Sequence, residues 1–193
     1  MWHDDGMPRL LLIRHAAATG HDADDPGLSA QGRLQAEQLA DALATLDVRA
    51  VWHGPKRRTE QTARAVESRI GCERLTTELL DDRTPFPADD RWEEYPRHRW
   101  EWFEQVPADE RDTGGAALSA AWTNIRSQLD TSGTLVAVTH AFVVAWFVSL
   151  AMNAPPPSWT HLAVSNAAIT EIEQRANGDL IIHRFNDTGH LQS

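Results

Sequence analysis

The sequence predicts an α/β fold, a three-layer sandwich with a mainly parallel central sheet and helices on both faces. Three observations predict it. Short apolar, β-branched runs alternate with helical patterns over the first 150 residues. The run Pro8-Arg9-Leu10-Leu11-Leu12-Ile13 is apolar on both faces, as a strand covered on both sides requires. A hairpin signal, Asn177-Gly178-Asp179, joins the last two strands, so a hairpin belongs at one side of the sheet.

The elements follow in order. Ser29 has the side chain of an N-cap, and Leu34, Leu39 and Leu43 predict a helix reaching about Leu46. Val48 to Trp52 is a second strand. Lys56 to Ile70 is a second helix, closed by Gly71. Thr113 to Leu129 is a further helix and Thr134 to Val138 the next strand. An apolar helix follows from Ala141 to Met152. His161 to Glu173 and Leu180 to Phe185 read as the last two strands. The stretch from Asp81 to Asp112 breaks the rhythm. It mixes Trp92, Tyr95, Trp100, Trp102 and Phe103 with Arg91, Arg97, His98 and Arg99. It reads as a helical insertion in a single domain of residues 1–193, lying over a site or packing its aromatics onto the surface.

Composition narrows the function classes. The 193 residues fit one core. Acidic residues number 28 against 18 basic, a net charge of −10, which argues against nucleic acid as a partner. One cysteine, Cys72, excludes a disulfide framework or a multi-cysteine zinc site. Leu135 to Met152 carries no Asp, Glu, Lys or Arg and has the length of a membrane span. However, it splits into a β-branched strand and a helix around Thr139-His140, so no membrane partner is expected. No basic, apolar leader precedes Pro8, so a cytoplasmic location is expected. Trp2 could anchor a second chain, but oligomeric state stays open.

Ligands of open α/β sheets collect beyond the carboxyl ends of the strands. Arg14-His15 closes the first strand and is followed by the small residues Ala16-Ala17-Ala18. The second strand ends at His53-Gly54-Pro55, and the helix after it carries Arg58 in its first turn, where free N–H groups favour an anion. The later strand ends at Thr139-His140. Each segment alone is equally an ordinary basic face or a capping histidine. Together, two histidines and two arginines at three strand ends describe a cationic pocket for a small dianion, with no metal-ligand cluster. Arginine supplies a planar donor fork, and histidine a nucleophile or base near neutral pH.

These segments resemble the histidine phosphatase, or phosphoglycerate mutase-like, superfamily. Leu11-Leu12-Ile13-Arg14-His15 is similar to its Arg-His-Gly signature, with Ala16 in place of glycine. Leu28 to Ala36, Gly54 to Ala63 and Val138-Thr139-His140-Ala141 are similar to its next three motifs, in order. Ser165 to Thr170, Asn186 to Gly189 and Leu79-Leu80-Asp81-Asp82 look most like the mitochondrial Ser/Thr protein phosphatase branch. The resemblance implies a metal-independent phosphatase without a cofactor. His15 would become phosphohistidine, and Arg14, Arg58 and His140 would bind the phosphoryl oxygens. Asp82 would be the acid, with Asp81 and Glu78 as alternatives. The substrate would be a phosphorylated small molecule or phosphoprotein. Ala16-Ala17, His21 and Arg83-Thr84-Pro85-Phe86-Pro87 depart from the mutase pattern, which favours hydrolysis over isomerisation. A mutase and a weakly catalytic phospho-ligand binder are the rival readings.

Overall fold

The computed structural model describes residues 7–20, 25–130 and 132–192. Trp2 and His21 lie outside them. A six-stranded sheet has the order β3-β2-β6-β1-β7-β8. Its strands are β1 (Arg9–Arg14), β2 (Val48–His53), β3 (Glu73–Thr76), β6 (Thr134–Thr139), β7 (Ile169–Gln174) and β8 (Leu180–Asp187). β3, β2, β6 and β1 run parallel, while β7 and β8 are antiparallel additions at one side. The helices are α1 (Ala30–Leu43), α2 (Arg57–Ile70), α3 (Trp100–Gln105), α4 (Ala116–Ser127) and α5 (Ala141–Ala151).

Side chains of the two central strands explain the three layers. Leu11, Ile13, Val136 and Val138 point to the face covered by α1 and α2, where they meet Leu39, Leu43, Ala63 and Val66. Leu10, Leu12, Leu135 and Ala137 alternate to the other face and pack with α4 and α5. All eight of these strand residues are buried, which is why their sequence reads as continuous apolar runs.

Several boundaries move. Ser29 caps α1 as expected, its hydroxyl accepting the Gly32 N–H at 3.0 Å. Leu34 is 61% exposed and takes no part in the buried stripe, which Gly32, Ala36, Leu39, Ala40 and Leu43 form instead. The spacing of five from Leu34 to Leu39 turns Leu34 off that face. His161 does not begin a strand: Pro156–His161 is a 3₁₀ turn, fixed at its start by the proline run, and β7 starts at Ile169. β3 has no apolar signature because it is a four-residue edge strand. The apolar run through Met152 is β6 followed by α5, and no described helix is long and apolar enough to cross a membrane.

The segment 81–112 is only partly helical. It contains a two-stranded parallel ladder, β4 (Thr84–Phe86) with β5 (Arg111–Thr113), two 3₁₀ turns and α3. Its aromatics pack on one another: Phe103 lies edge-on to Phe86, Trp92, Tyr95 and Trp102 at centroid distances of 4.9–6.0 Å. Trp102 continues the stack to Phe142 of α5 at 5.5 Å and to Trp159 at 6.2 Å. Edge-to-face pairs of this kind add to the burial of each ring.

A glycine is required where β2 ends. A Cβ on Gly54 would run into the Leu80 carbonyl, which itself accepts the Thr139 hydroxyl at 2.8 Å. Gly54 therefore lets the 3₁₀ turn Glu78–Leu80 sit against the ends of β2 and β6. Gly54→Ala should destabilise the fold by about 1–3 kcal/mol through overpacking, read as a lower urea midpoint with unchanged slope.

Candidate active site

Parallel pairing builds the site. β6 lies between β1 and β2, with Arg14 opposite Thr139 and His53 opposite Val138. The carboxyl ends of three strands therefore align side by side, and the residues just past them share one crevice. The His15 N–H donates to the Thr139 carbonyl at 2.9 Å, and the Gly54 N–H to the Val138 carbonyl at 3.2 Å, extending both ladders beyond the strands.

His15 is 8% exposed. Its Nδ1 lies 2.8 Å from the Ala16 carbonyl. A carbonyl only accepts, so Nδ1 carries the proton and Nε2 keeps its lone pair. The loop after His15 is held from three directions. Ala16 N–H donates to the Thr62 hydroxyl at 3.1 Å, Ala17 N–H donates to the Gln35 side-chain oxygen at 2.9 Å, and the Asn166 amide donates to the His15 carbonyl at 2.9 Å. Ala16 is fully buried, which shows why a small residue follows the histidine.

His140 caps α5 and is 2% exposed. Its ring stands edge-on to that of His15, with centroids 5.1 Å apart. Burial holds His140 well below its ordinary value near 6.5, and the neighbouring charges of His15 when protonated, Arg58, Lys56 and Arg14 act in the same direction. In the ligand-free site the ring is neutral at neutral pH.

Arg58 is almost fully buried in the first turn of α2. Its Nη2 donates to Asp82 Oδ2 at 2.6 Å. The same Asp82 oxygen lies 3.2 Å from His140 Nδ1. Arg14 donates through Nη1 to the Val164 carbonyl at 2.6 Å. The structure thus brings together all five leading candidates: Arg14, His15, Arg58, Asp82 and His140. The two other acids are engaged or placed differently. Asp81 accepts the Asp82 backbone N–H at 2.8 Å, and Glu78 is exposed on its 3₁₀ turn.

His53, also at a strand end, faces elsewhere. Its Nδ1 donates to the Gly54 carbonyl at 2.7 Å, and its Nε2 sits 3.0 Å from Arg74 Nη1 and 3.2 Å from the Thr76 hydroxyl on β3. It braces the sheet edge. Asp25 was not among the expected residues. Its Oδ1 accepts the Arg57 N–H at 3.0 Å and lies 3.9 Å from Arg58 Nη1. It supplies the acceptor at the start of α2 that Lys56, the N-cap, lacks. Nothing in Asp24-Asp25-Pro26-Gly27 marks this role, because the contact spans 32 residues.

A family model, that of the histidine phosphatase superfamily (branch 1), matches residues 10–188. The chain belongs to this superfamily. Among relatives, it is 26% identical over 191 residues to the mouse mitochondrial serine/threonine-protein phosphatase PGAM5, covering 94% of this chain and 63% of that protein. The Caenorhabditis elegans counterpart is 28% identical over 192 residues, with the same shares. The chain therefore spans a little under two thirds of the length of these curated relatives. The fold is also that of solved phosphatase structures. A phosphoserine phosphatase from Entamoeba histolytica superposes with a TM-score of 0.70 at 20% identity, covering 95% of this chain and 99% of that one. A mycobacterial glucosyl-3-phosphoglycerate phosphatase gives 0.70 at 19%, covering 94% and 99%.

Burial sets a pH dependence for this fold. His53, His140 and His190 are all lowered from 6.5, each chiefly by burial. A depressed histidine means that the unfolded chain binds more protons below pH 6.5, so stability is full above that value and falls as pH drops through it. Unfolding free energy should decline between pH 7 and pH 5.5, and His140→Gln should flatten that slope.

Proposed function

We propose that this chain hydrolyses phosphomonoesters without a metal ion, through a phosphohistidine on His15. The observation that carries the reading is the pair of histidine rings, 5.1 Å apart and inclined at 61°, in a pocket with two arginines and one carboxylate. The Ala16 carbonyl holds His15 in the tautomer whose Nε2 can attack.

A phosphoryl dianion in the crevice would meet Arg14 and Arg58, whose forks match its oxygens. His140 would donate the proton it holds or one it gains, since burial chiefly keeps it neutral and an anion alongside would offset the neighbouring positive charges that add to that effect. The Nε2 lone pair of His15 attacks phosphorus as the ester P–O bond breaks. The Asp82 carboxyl gives its proton to the leaving oxygen. Water then adds to the phosphohistidine, and its proton goes to the Asp82 carboxylate. The P–N bond breaks, and its electron pair returns to Nε2. The transition state spreads charge over the equatorial oxygens, where Arg14, Arg58 and His140 stabilise it. In the resting site Asp82 is engaged with Arg58. Incoming phosphate competes for that guanidinium, and its negative charge beside Asp82 favours the protonated carboxyl that the first step needs.

The wild type should hydrolyse p-nitrophenyl phosphate with EDTA present, from mildly acidic to neutral pH. His15→Ala should abolish this; retained wild-type turnover would refute the reading. A mutase would instead interconvert phosphoglycerates, and a binding protein would hold phosphate without turnover. The role of Asp82 has its own signature. Asp82→Asn should slow an alkyl phosphate by about 10²–10⁴-fold, the usual range for a lost proton donor. It should slow p-nitrophenyl phosphate less, because p-nitrophenolate leaves without a proton. Equal losses on both esters would assign Asp82 to charge positioning rather than proton transfer.

A further inference from the structure

A groove of about 490 Å³ adjoins the phosphate crevice, lined by Arg99, Trp102, Phe142, Trp159, Thr160 and His161 among others. Two links place it beside the catalytic groups. Phe142 is in the first turn of α5, two residues beyond His140, its N-cap. The groove wall runs on through Leu162 and Ala163 to Val164, whose carbonyl receives Arg14 Nη1 at 2.6 Å.

The lining is unusual for open space. Three aromatic rings form one side, with Phe142 and Trp159 at 5.3 Å and Trp102 within 5.5 Å of Phe142. Among the described lining residues, the polar side holds Arg99 and His161 and no carboxylate. Arg99 comes from the 81–112 segment, and one of its N–H groups donates to the Thr160 carbonyl at 3.0 Å, fixing its stem across the groove wall. The neighbouring arginines are already paired, Arg97 with Glu93 at 3.0 Å and Arg91 with Glu94 at 2.7 Å; Arg99 shares no such carboxylate partner among the contacts described.

We propose that this groove is the leaving-group site, and that it selects phosphomonoesters whose alcohol carries an apolar or aromatic body and a carboxylate. The aromatic wall would cover the body, while Arg99, with His161 beside it, would receive the anion. The proposal rests on the phosphomonoesterase reading, since it takes the crevice to hold the phosphate. An arginine–carboxylate contact is among the stronger hydrogen bonds, so its loss is readable as a change in affinity. Area and shape alone would not discriminate between a carboxylate and a neutral group of the same size.

The test separates binding from turnover. Binding of 4-carboxyphenyl phosphate and phenyl phosphate is measured by calorimetry on the His15→Ala protein, which holds substrate without consuming it. The carboxylated ester is expected to bind about tenfold or more tightly. Adding Arg99→Gln should erase that preference while leaving phenyl phosphate bound, and Arg99→Lys should restore part of it. Loss of both esters in Arg99→Gln but not in Arg99→Lys would show a structural role for the Thr160 contact and overturn the proposal. So would equal binding of the two esters, a preference that survives Arg99→Gln, or no binding of either. If instead the preference is found but the wild type turns over neither ester, the hydrolytic reading fails and the groove stands.

Discussion

Everything at the site depends on β6 lying between β1 and β2 in a parallel ladder. A parallel sheet sends all its carboxyl ends to one edge, and this strand order makes β1, β6 and β2 immediate neighbours there. Strands lie about 4.8 Å apart. Residues one position past adjacent ends are therefore within reach of a single small ligand. His15 and His140 follow β1 and β6, and their rings meet at 5.1 Å. Arg58 is one turn farther along, at the start of α2, where the helix end adds its own N–H groups. No long loop has to be ordered to assemble the set. It is a consequence of register, and the flanking hydrogen bonds from His15 and Gly54 carry that register one residue beyond the strands.

Charge is organised against the overall composition. The chain carries a net charge of −10, yet its crevice gathers Arg14, Arg58 and two histidines, with Lys56 close enough to depress His140. Net charge is a sum and says nothing of a pocket. Burying Arg58 almost completely would be costly without partners, and Asp82 at 2.6 Å and Asp25 at 3.9 Å answer that cost in the resting state. The same carboxylates give the pocket its exchange character. On the proposed reading, a phosphate entering it replaces one anion by another at Arg58, so the guanidinium is not left buried alone.

The sequence made the layers and the core strands legible because both-face burial leaves an unbroken apolar run, as in Leu10 to Ile13. It also pointed to Arg14, His15, Arg58 and His140, because two arginines and two histidines recur at or just past three strand ends, a combination that no one of these segments carries alone. Asp82 was readable only through the resemblance of Leu79 to Asp82 to a family segment. What escaped was tertiary. Leu34 looked like part of a stripe, but its spacing to Leu39 turns it to solvent at 61% exposure. The proline run before Trp159 produced a 3₁₀ turn where β-branched character farther along suggested a strand. Asp25 gave no signal at all, because a cap supplied across 32 residues leaves no local pattern.

The 81–112 segment joins the strand-end crevice to the groove beside it. Read from composition, its aromatics and its arginines pull in different directions, one toward a buried patch and the other toward a ligand. The structure assigns them to different layers of the same piece. Phe103 and Tyr95 are buried and anchor the segment, while Trp102 and Arg99 are only partly buried and face the groove beside α5. The anchoring rings hold the backbone of α3 against Phe142 and Trp159, and this contact determines where Arg99 stands. A segment of this kind can change its rim residues without disturbing the strand ends that carry His15 and His140. On the proposed reading, chemistry is built into the sheet and selectivity into the insertion, and the two meet at Phe142, which belongs to the helix that His140 begins.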